Sequence, residues 1–231
     1  MAKEKITLED GSVYEGELVN GKPHGKGKMT FPNGGVFEGD FVNGLPQSKG
    51  KMTFSDGTVY EGDNDNGLPH GKGKMTYPNG NVYEGDFVEG HKTGKGKWTF
   101  PGANVYEGDL VNGKKHGKGK LTYPDGTVYE GDFVDDNPHG KGKVSVTNGI
   151  SYEGDFVNGN FHGKGKMTYP NGNVYEGDFV DGERHGKGKF ISTDGGVFVG
   201  EYTNDKRSKG KMTYPDGKVE EGNWDGAKFL G

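Results

Sequence analysis

The chain has 231 residues, of which 28% are hydrophobic and 47 are glycine, too little apolar mass for a thick core. Its 12 Tyr, 13 Phe and 2 Trp argue against disorder, because disordered chains are poor in aromatic residues. The absence of cysteine excludes disulfides, thiolate metal sites and thiol nucleophiles, and a net charge of -5, with 29 basic residues interleaved among 34 acidic ones, leaves no nucleic-acid footprint.

The N-terminus leads straight into a pattern. Residues 4–11, with Lys5-Ile6-Thr7-Leu8 at their centre, match only the second half of a unit that then recurs. An aromatic-Glu-Gly triplet stands at Tyr14, Phe37, Tyr60, Tyr83, Tyr106, Tyr129, Tyr152 and Tyr175, each 23 residues from the last. It degenerates at Phe198-Val199-Gly200, and a last version, Glu220-Glu221-Gly222, comes one residue early. The organisation expected is one repeat array over 1–231: a half repeat at 4–11, full repeats from 12 to about 218, and a C-terminal half repeat at 219–226. Gly71 to Val88 recurs unchanged as Gly163 to Val180, the mark of duplication or design.

Each unit carries two period-two runs, typified by Val82–Val88 and by Lys72–Tyr77, which are read as strands. The links Asn33-Gly34, Asp56-Gly57 and their equivalents are read as the tight hairpin turns. Asn20-Gly21-Lys22-Pro23-His24-Gly25 and its equivalents are read as longer, glycine-rich loops. Adjacent strands are then antiparallel throughout. The fold expected is all-β: a single-layer, elongated, twisted antiparallel sheet of about twenty strands, roughly 95 Å long at about 4.8 Å per strand.

Alternation assigns the faces. Tyr83, Gly85 and Phe87 share one face with Gly73, Met75 and Tyr77, while Glu84 and Asp86 share the other with Lys72 and Lys74. The charged face is expected to form cross-strand ion pairs. On the apolar face glycine leaves room for rings to lie against bare backbone. The outer edges of those rings are expected to floor a groove for an extended or helical partner segment. Its candidate residues are Tyr60, Met75, Tyr83, Phe87, Trp98, Tyr106, Leu110, Tyr129, Phe133, Tyr152, Phe156, Tyr175 and Phe179, with His91, Phe161 and Arg184 adding specificity from the loops.

The order Tyr-Glu-Gly-Asp-Phe, then Gly, then His-Gly-Lys-Gly, then Asp/Asn-Gly resembles the MORN repeat (membrane occupation and recognition nexus), from Ile6 to Trp224. The resemblance implies an accessory array that binds lipid, a partner protein or itself, with any catalysis in another domain, and no such domain is expected here. The chain departs from the family pattern at Asn64, where an aromatic residue is usual, and the loop His-Gly is lost at Gln47-Ser48, Thr93 and Arg207-Ser208.

Sites for chemistry are weakly marked. His24, His70, His116, His139, His162 and His185 recur one per repeat, two strands or about 10 Å apart, too far to share one zinc. Carboxylate pairs such as Glu84 and Asp86 recur with lysines alongside and no cleft. Gly-Lys-Gly-Lys lacks the spacing and following helix of a phosphate loop. Asp63-Asn64-Asp65-Asn66-Gly67 has its glycine one position early for a calcium loop.

The reading is a non-enzymatic scaffold without cofactor that binds a protein or peptide partner. A second reading is recruitment to anionic phospholipid through the lysine rows. A third is a self-associating architectural array, a homodimer through its terminal edge strands. No apolar run approaches the ~18 residues of a membrane span, so a cytoplasmic protein is expected, peripheral at a membrane or the cytoskeleton if the second reading holds.

Overall fold

The computed structural model describes residues 4–231, and among them there are 21 strands and no helix. They group into two compact units, the first ending at Lys114 and the second beginning at Lys115. Within each unit the strands are consecutive antiparallel hairpins in a single layer, as in Val82–Val88 against His91–Thr99 and Asn160–Thr168 against Val174–Val180.

The turn assignment is the reverse of that expected from the sequence. Val13–Val19 and Lys22–Thr30 are joined by Asn20-Gly21 alone. Both turn residues have positive φ, 51° and 73°, the type I′ geometry whose twist suits a hairpin. The supposed long loop is therefore strand, and the recurrent histidines lie within it. At Asn33-Gly34 only the glycine has positive φ, Gly34 N–H donates to the Phe31 carbonyl, and the Asn33 side chain accepts from Gly35 N–H. This is an Asx-stabilised turn closing a longer hairpin link.

The nine-residue strands are long enough to carry a bulge. Gly16 opposes Gly27, yet the next residue, Glu17, opposes His24, so Gly25 and Lys26 have no partner on that side. The same shift recurs, as at Gly85/Phe87 and Gly177/Phe179. A bulge bends the strand and strengthens its twist.

The conserved ring fills the place that glycine leaves. A Cβ at Gly27 would overlap the Tyr14 ring, and one at Gly165 the Tyr152 ring. The phenol then reaches the bulge, where Tyr14 Oη donates to the carbonyls of Glu17 (3.0 Å) and His24 (2.9 Å). Tyr83, Tyr129 and Tyr175 repeat this with the carbonyls of Asp86, Asp132 and Asp178. Backbone acceptors released by the bulge are thus satisfied by the residue that fills the core.

In the second unit the rings form an unbroken edge-to-face series. Phe156 meets both Tyr129 and Tyr152, Phe179 meets Tyr152 and Tyr175, Tyr202 meets Tyr175 and Phe198, and Trp224 meets Phe198. In the first unit Phe41 joins Tyr14 to Phe37, and Phe87 joins Tyr60 to Tyr83. The place between Phe37 and Tyr60 is held by Asn64, buried, its amide donating to the Gly62 carbonyl at 3.0 Å. Opposite it stands Ser48, at φ 56°, where the equivalent strands have glycine.

Candidate functional site

The rings expected to floor a groove are instead enclosed. Tyr60, Tyr83, Tyr152 and Tyr175 are 0% exposed, Tyr106, Phe87, Leu110, Phe133 and Phe179 1%, Tyr129 2%, Phe156 3% and Met75 8%. They are framework and not contact surface, which corrects that expectation. The cause is the bulge, which bends the strand so that residues just past each type I′ turn lie over the tyrosine rings. Burial pushes the phenols of Tyr60, Tyr83 and Tyr152 up to about 12, helped by the charge of the neighbouring aspartate, and moves Tyr129 and Tyr175 the same way.

The covering layer varies from repeat to repeat. Its register position, opposite Leu18 in the first full repeat, carries Pro23, Pro46, Pro69 and Lys92 in the first unit. In the second unit it includes Pro138, Phe161, Arg184 and Arg207. Each of these residues spends its carbonyl on an N–H of the next turn, as in Gly90 N–H to Pro69 and Gly182 N–H to Phe161. Phe161 stacks on Tyr152 at 4.0 Å, and the Arg184 guanidinium lies over Tyr175 and Tyr202 at 5.6 and 5.3 Å. Phe161 and Arg184, singled out from sequence, therefore belong to this layer and are half-buried, whereas His91 is exposed at a turn.

Beside that layer runs a row of half-buried residues from the ends of the long strands, including Tyr77, Phe100 and Tyr169. Trp98, half-buried where most repeats have methionine, stacks between Tyr77 (5.6 Å, 20°) and Phe100 (5.4 Å, 11°). The Lys92 ammonium sits 5.3 to 5.9 Å from the rings of Trp98, Tyr77 and Tyr83. Sequence reasoning missed Lys92 and Arg207, although both stand one or more whole repeats from Arg184.

The opposite face carries the expected ion pairs, Lys28–Glu38 (3.0 Å), Lys97–Glu107 (2.8 Å) and Lys166–Glu176 (2.9 Å) among them. The aspartates also clip the bulge: Asp86 Oδ2 accepts from Lys95 N–H at 2.9 Å while Oδ1 holds the Lys72 ammonium at 2.5 Å. The Lys141 ammonium beside Asp155 holds that carboxyl below its usual range; at Asp86 burial opposes the same shift and is outweighed by Lys72 and the Lys95 N–H. These lowered carboxylates are structural, and none has the raised pKa of a general acid. Between the charge rows glycine backbone floors open troughs of about 850 Å³ along Glu61–Gly108 and about 690 Å³ along Lys118–Gly177.

An open stack of β-hairpins with a constant inner row and a variable covering layer defines a repeat protein whose differences lie on its surface. Consistent with this, a MORN-repeat profile matches nine consecutive segments, 14–36, 37–59, 60–82, 83–104, 106–128, 129–149, 152–174, 175–197 and 198–219. The chain belongs to the MORN-repeat family. No curated protein matches it significantly. Among solved structures it is similar to the TCP10 domain of Danio rerio CPAP in complex with a peptide of Danio rerio STIL, with 18% identity and a TM-score of 0.51 over 96% of this chain and 99% of that one. The wild-type TCP10 domain of Danio rerio CPAP also matches, at 18% identity and a TM-score of 0.46 over 95% and 99%. The Drosophila melanogaster SAS-4 TCP domain, in complex with a proline-rich motif of Ana2, matches at 16% and 0.44 over 76% and 90%. At 18% identity the likeness to the first of these is one of fold.

Proposed function

We propose that this chain is a non-catalytic scaffold that binds an extended segment of a partner protein along the covering layer of its aromatic side. The observation that carries the reading is the half-buried stack of Tyr77, Trp98 and Phe100 with Lys92 beside it. Nothing in the ring row below requires a tryptophan there, since methionine serves at Met75 and Met167. Partly exposed aromatic clusters are the usual anchors of protein interfaces. The charged troughs are a weaker candidate, because their lysines and carboxylates are largely paired with one another. The zebrafish CPAP domain that shares the fold was solved with a STIL peptide, which supports a peptide-sized occupant.

The test is selection of binders from a random peptide library displayed in extended form. Capture of the selected peptides should fall at least tenfold with Tyr77→Ser/Trp98→Ser or with Phe161→Ser, each checked for native circular dichroism. Recovery of no binders, or of binders that ignore these changes and respond to substitutions in the charged troughs, would overturn the reading.

A further inference from the structure

Arg184 and Arg207 occupy the same place in successive repeats, yet only one has its charge answered. The Arg184 Nε donates to Asp205 Oδ1 at 2.9 Å, its Nη2 to the Asp205 carbonyl at 2.7 Å, and its backbone N–H to Asp205 Oδ1 at 3.0 Å. Asp205 is the second residue of the following type I′ turn and holds φ 66°, a conformation that favours glycine. Asp136, at φ 74°, does the same for Lys115, 3.3 Å from its ammonium. In both repeats a left-handed aspartate stands where a cation in the covering layer needs one. The turn that follows Arg207 is Gly226-Ala227; the Gly226 N–H donates to the Arg207 carbonyl, and neither turn residue carries a carboxylate.

Arg207 is half-buried, its guanidinium stacked 4.7 Å from the Phe198 ring centroid and 5.5 Å from that of Phe190, and no ion pair to it forms among the described residues. Beside it lies Tyr202, 2% exposed, its hydroxyl buried without completing a hydrogen bond. Guanidinium groups only donate. The phenol oxygen that lies toward Arg207 is a neutral acceptor, and the guanidinium meets no carboxylate in this corner among the described ion pairs. The adjoining row is also open here, since Ser192 stands where most repeats have Tyr or Phe. Lys92 is likewise followed by a turn without a carboxylate, ending in Gly113, but its ammonium sits among three ring faces where Arg207 has two, and no buried phenol without a hydrogen bond lies beside it.

We infer that the Arg207 corner receives a carboxylate from the bound partner segment, a Glu or Asp side chain occupying the place that Asp205 fills for Arg184. The fork geometry of arginine suits such a carboxylate in two parallel hydrogen bonds. The inference rests on the proposed peptide binding, and it gives the segment a chemistry: an acidic residue where it meets Arg207.

Two measurements separate the fate of this inference from that of the binding reading. The first is titration of the full chain with N-acetylglutamate amide, followed through the backbone amide resonances of Tyr202 and of residue 207. A saturable shift is expected, at least tenfold weaker with Arg207→Lys, and absent with N-acetylglutamine amide. No shift, equal shifts with the two amides, or a stronger response to inorganic phosphate would overturn the carboxylate assignment whatever peptides bind. The second is the library selection repeated on Arg207→Gln. Loss of an Asp/Glu preference at one peptide position is expected, with binding at Trp98 retained. Binders without any acidic preference on the unaltered chain would overturn the inference and leave the peptide reading standing.

Discussion

The ring rows of the two units differ at their bridging positions, and the difference shows how this fold holds together. In the second unit every conserved ring from Tyr129 to Trp224 meets the next edge to face. In the first, the series stops between Phe37 and Tyr60, where Asn64 faces Ser48, and again between Tyr83 and Tyr106, where the bridging position holds the aliphatic Leu110. Stability in such an array is a sum over neighbouring repeats, so a missing ring weakens one seam and leaves the rest intact. The seam survives because Asn64 spends its amide on backbone carbonyls and is not left orphaned.

The largest effect is expected from alkali. Tyr60, Tyr83 and Tyr152 titrate near 12 in the folded chain, above the ordinary phenol value of 10. Their burial therefore stabilises the fold fully below about pH 10 and less and less as pH rises through the raised values. Absorbance of phenolate at 295 nm and loss of circular dichroism should rise together above pH 11, with amides flanking Asn64 exchanging first. Ionisation at pH 10 with the fold intact would contradict the enclosed row.

Next comes Tyr152→Ala, which removes a fully buried ring with three aromatic neighbours, Phe156, Phe161 and Phe179, and the donor to the Asp155 carbonyl. Of these, Phe156 also touches Tyr129 and would keep one edge of the gap closed. A loss of about 3–5 kcal/mol in urea unfolding is expected. Ser48→Gly combined with Asn64→Phe should restore the seam and gain about 1 kcal/mol, from two new edge-to-face contacts and relief of the left-handed serine. A double variant less stable than the parent would show that the seam is closed to a ring. Smallest is Lys166→Ala, whose partner Glu176 is half-exposed; a change of about 0.5 kcal/mol that fades in high salt is expected.

Much of this was readable in the chain. The 23-residue period, the two strands per unit and the division into an aromatic and a charged face all follow from alternation around Val82–Val88, and the Lys28–Glu38 class of ion pair lies where that alternation puts it. The turns were not readable, because Asn-Gly occurs at both links and the deciding fact is tertiary: the bulge lengthens one strand through the old loop. Nor was the enclosure of the rings. A flat strand leaves one face of Tyr83 open, whereas the bulge, fixed by its phenol bonding to the Asp86 carbonyl, brings Lys92 over the ring. The candidate contact residues therefore shift from the rings to the layer above them, with Phe161 and Arg184 common to both readings.

That layer is tied to its neighbours through a backbone carbonyl that any residue supplies. Proline, lysine, phenylalanine and arginine all serve at the one position. The tie itself is therefore indifferent to the side chain, so arrays of one architecture can differ in what their covering layer presents. Gly71 to Val88 and Gly163 to Val180 are identical, yet the covering residue two positions before each is Pro69 in one and Phe161 in the other.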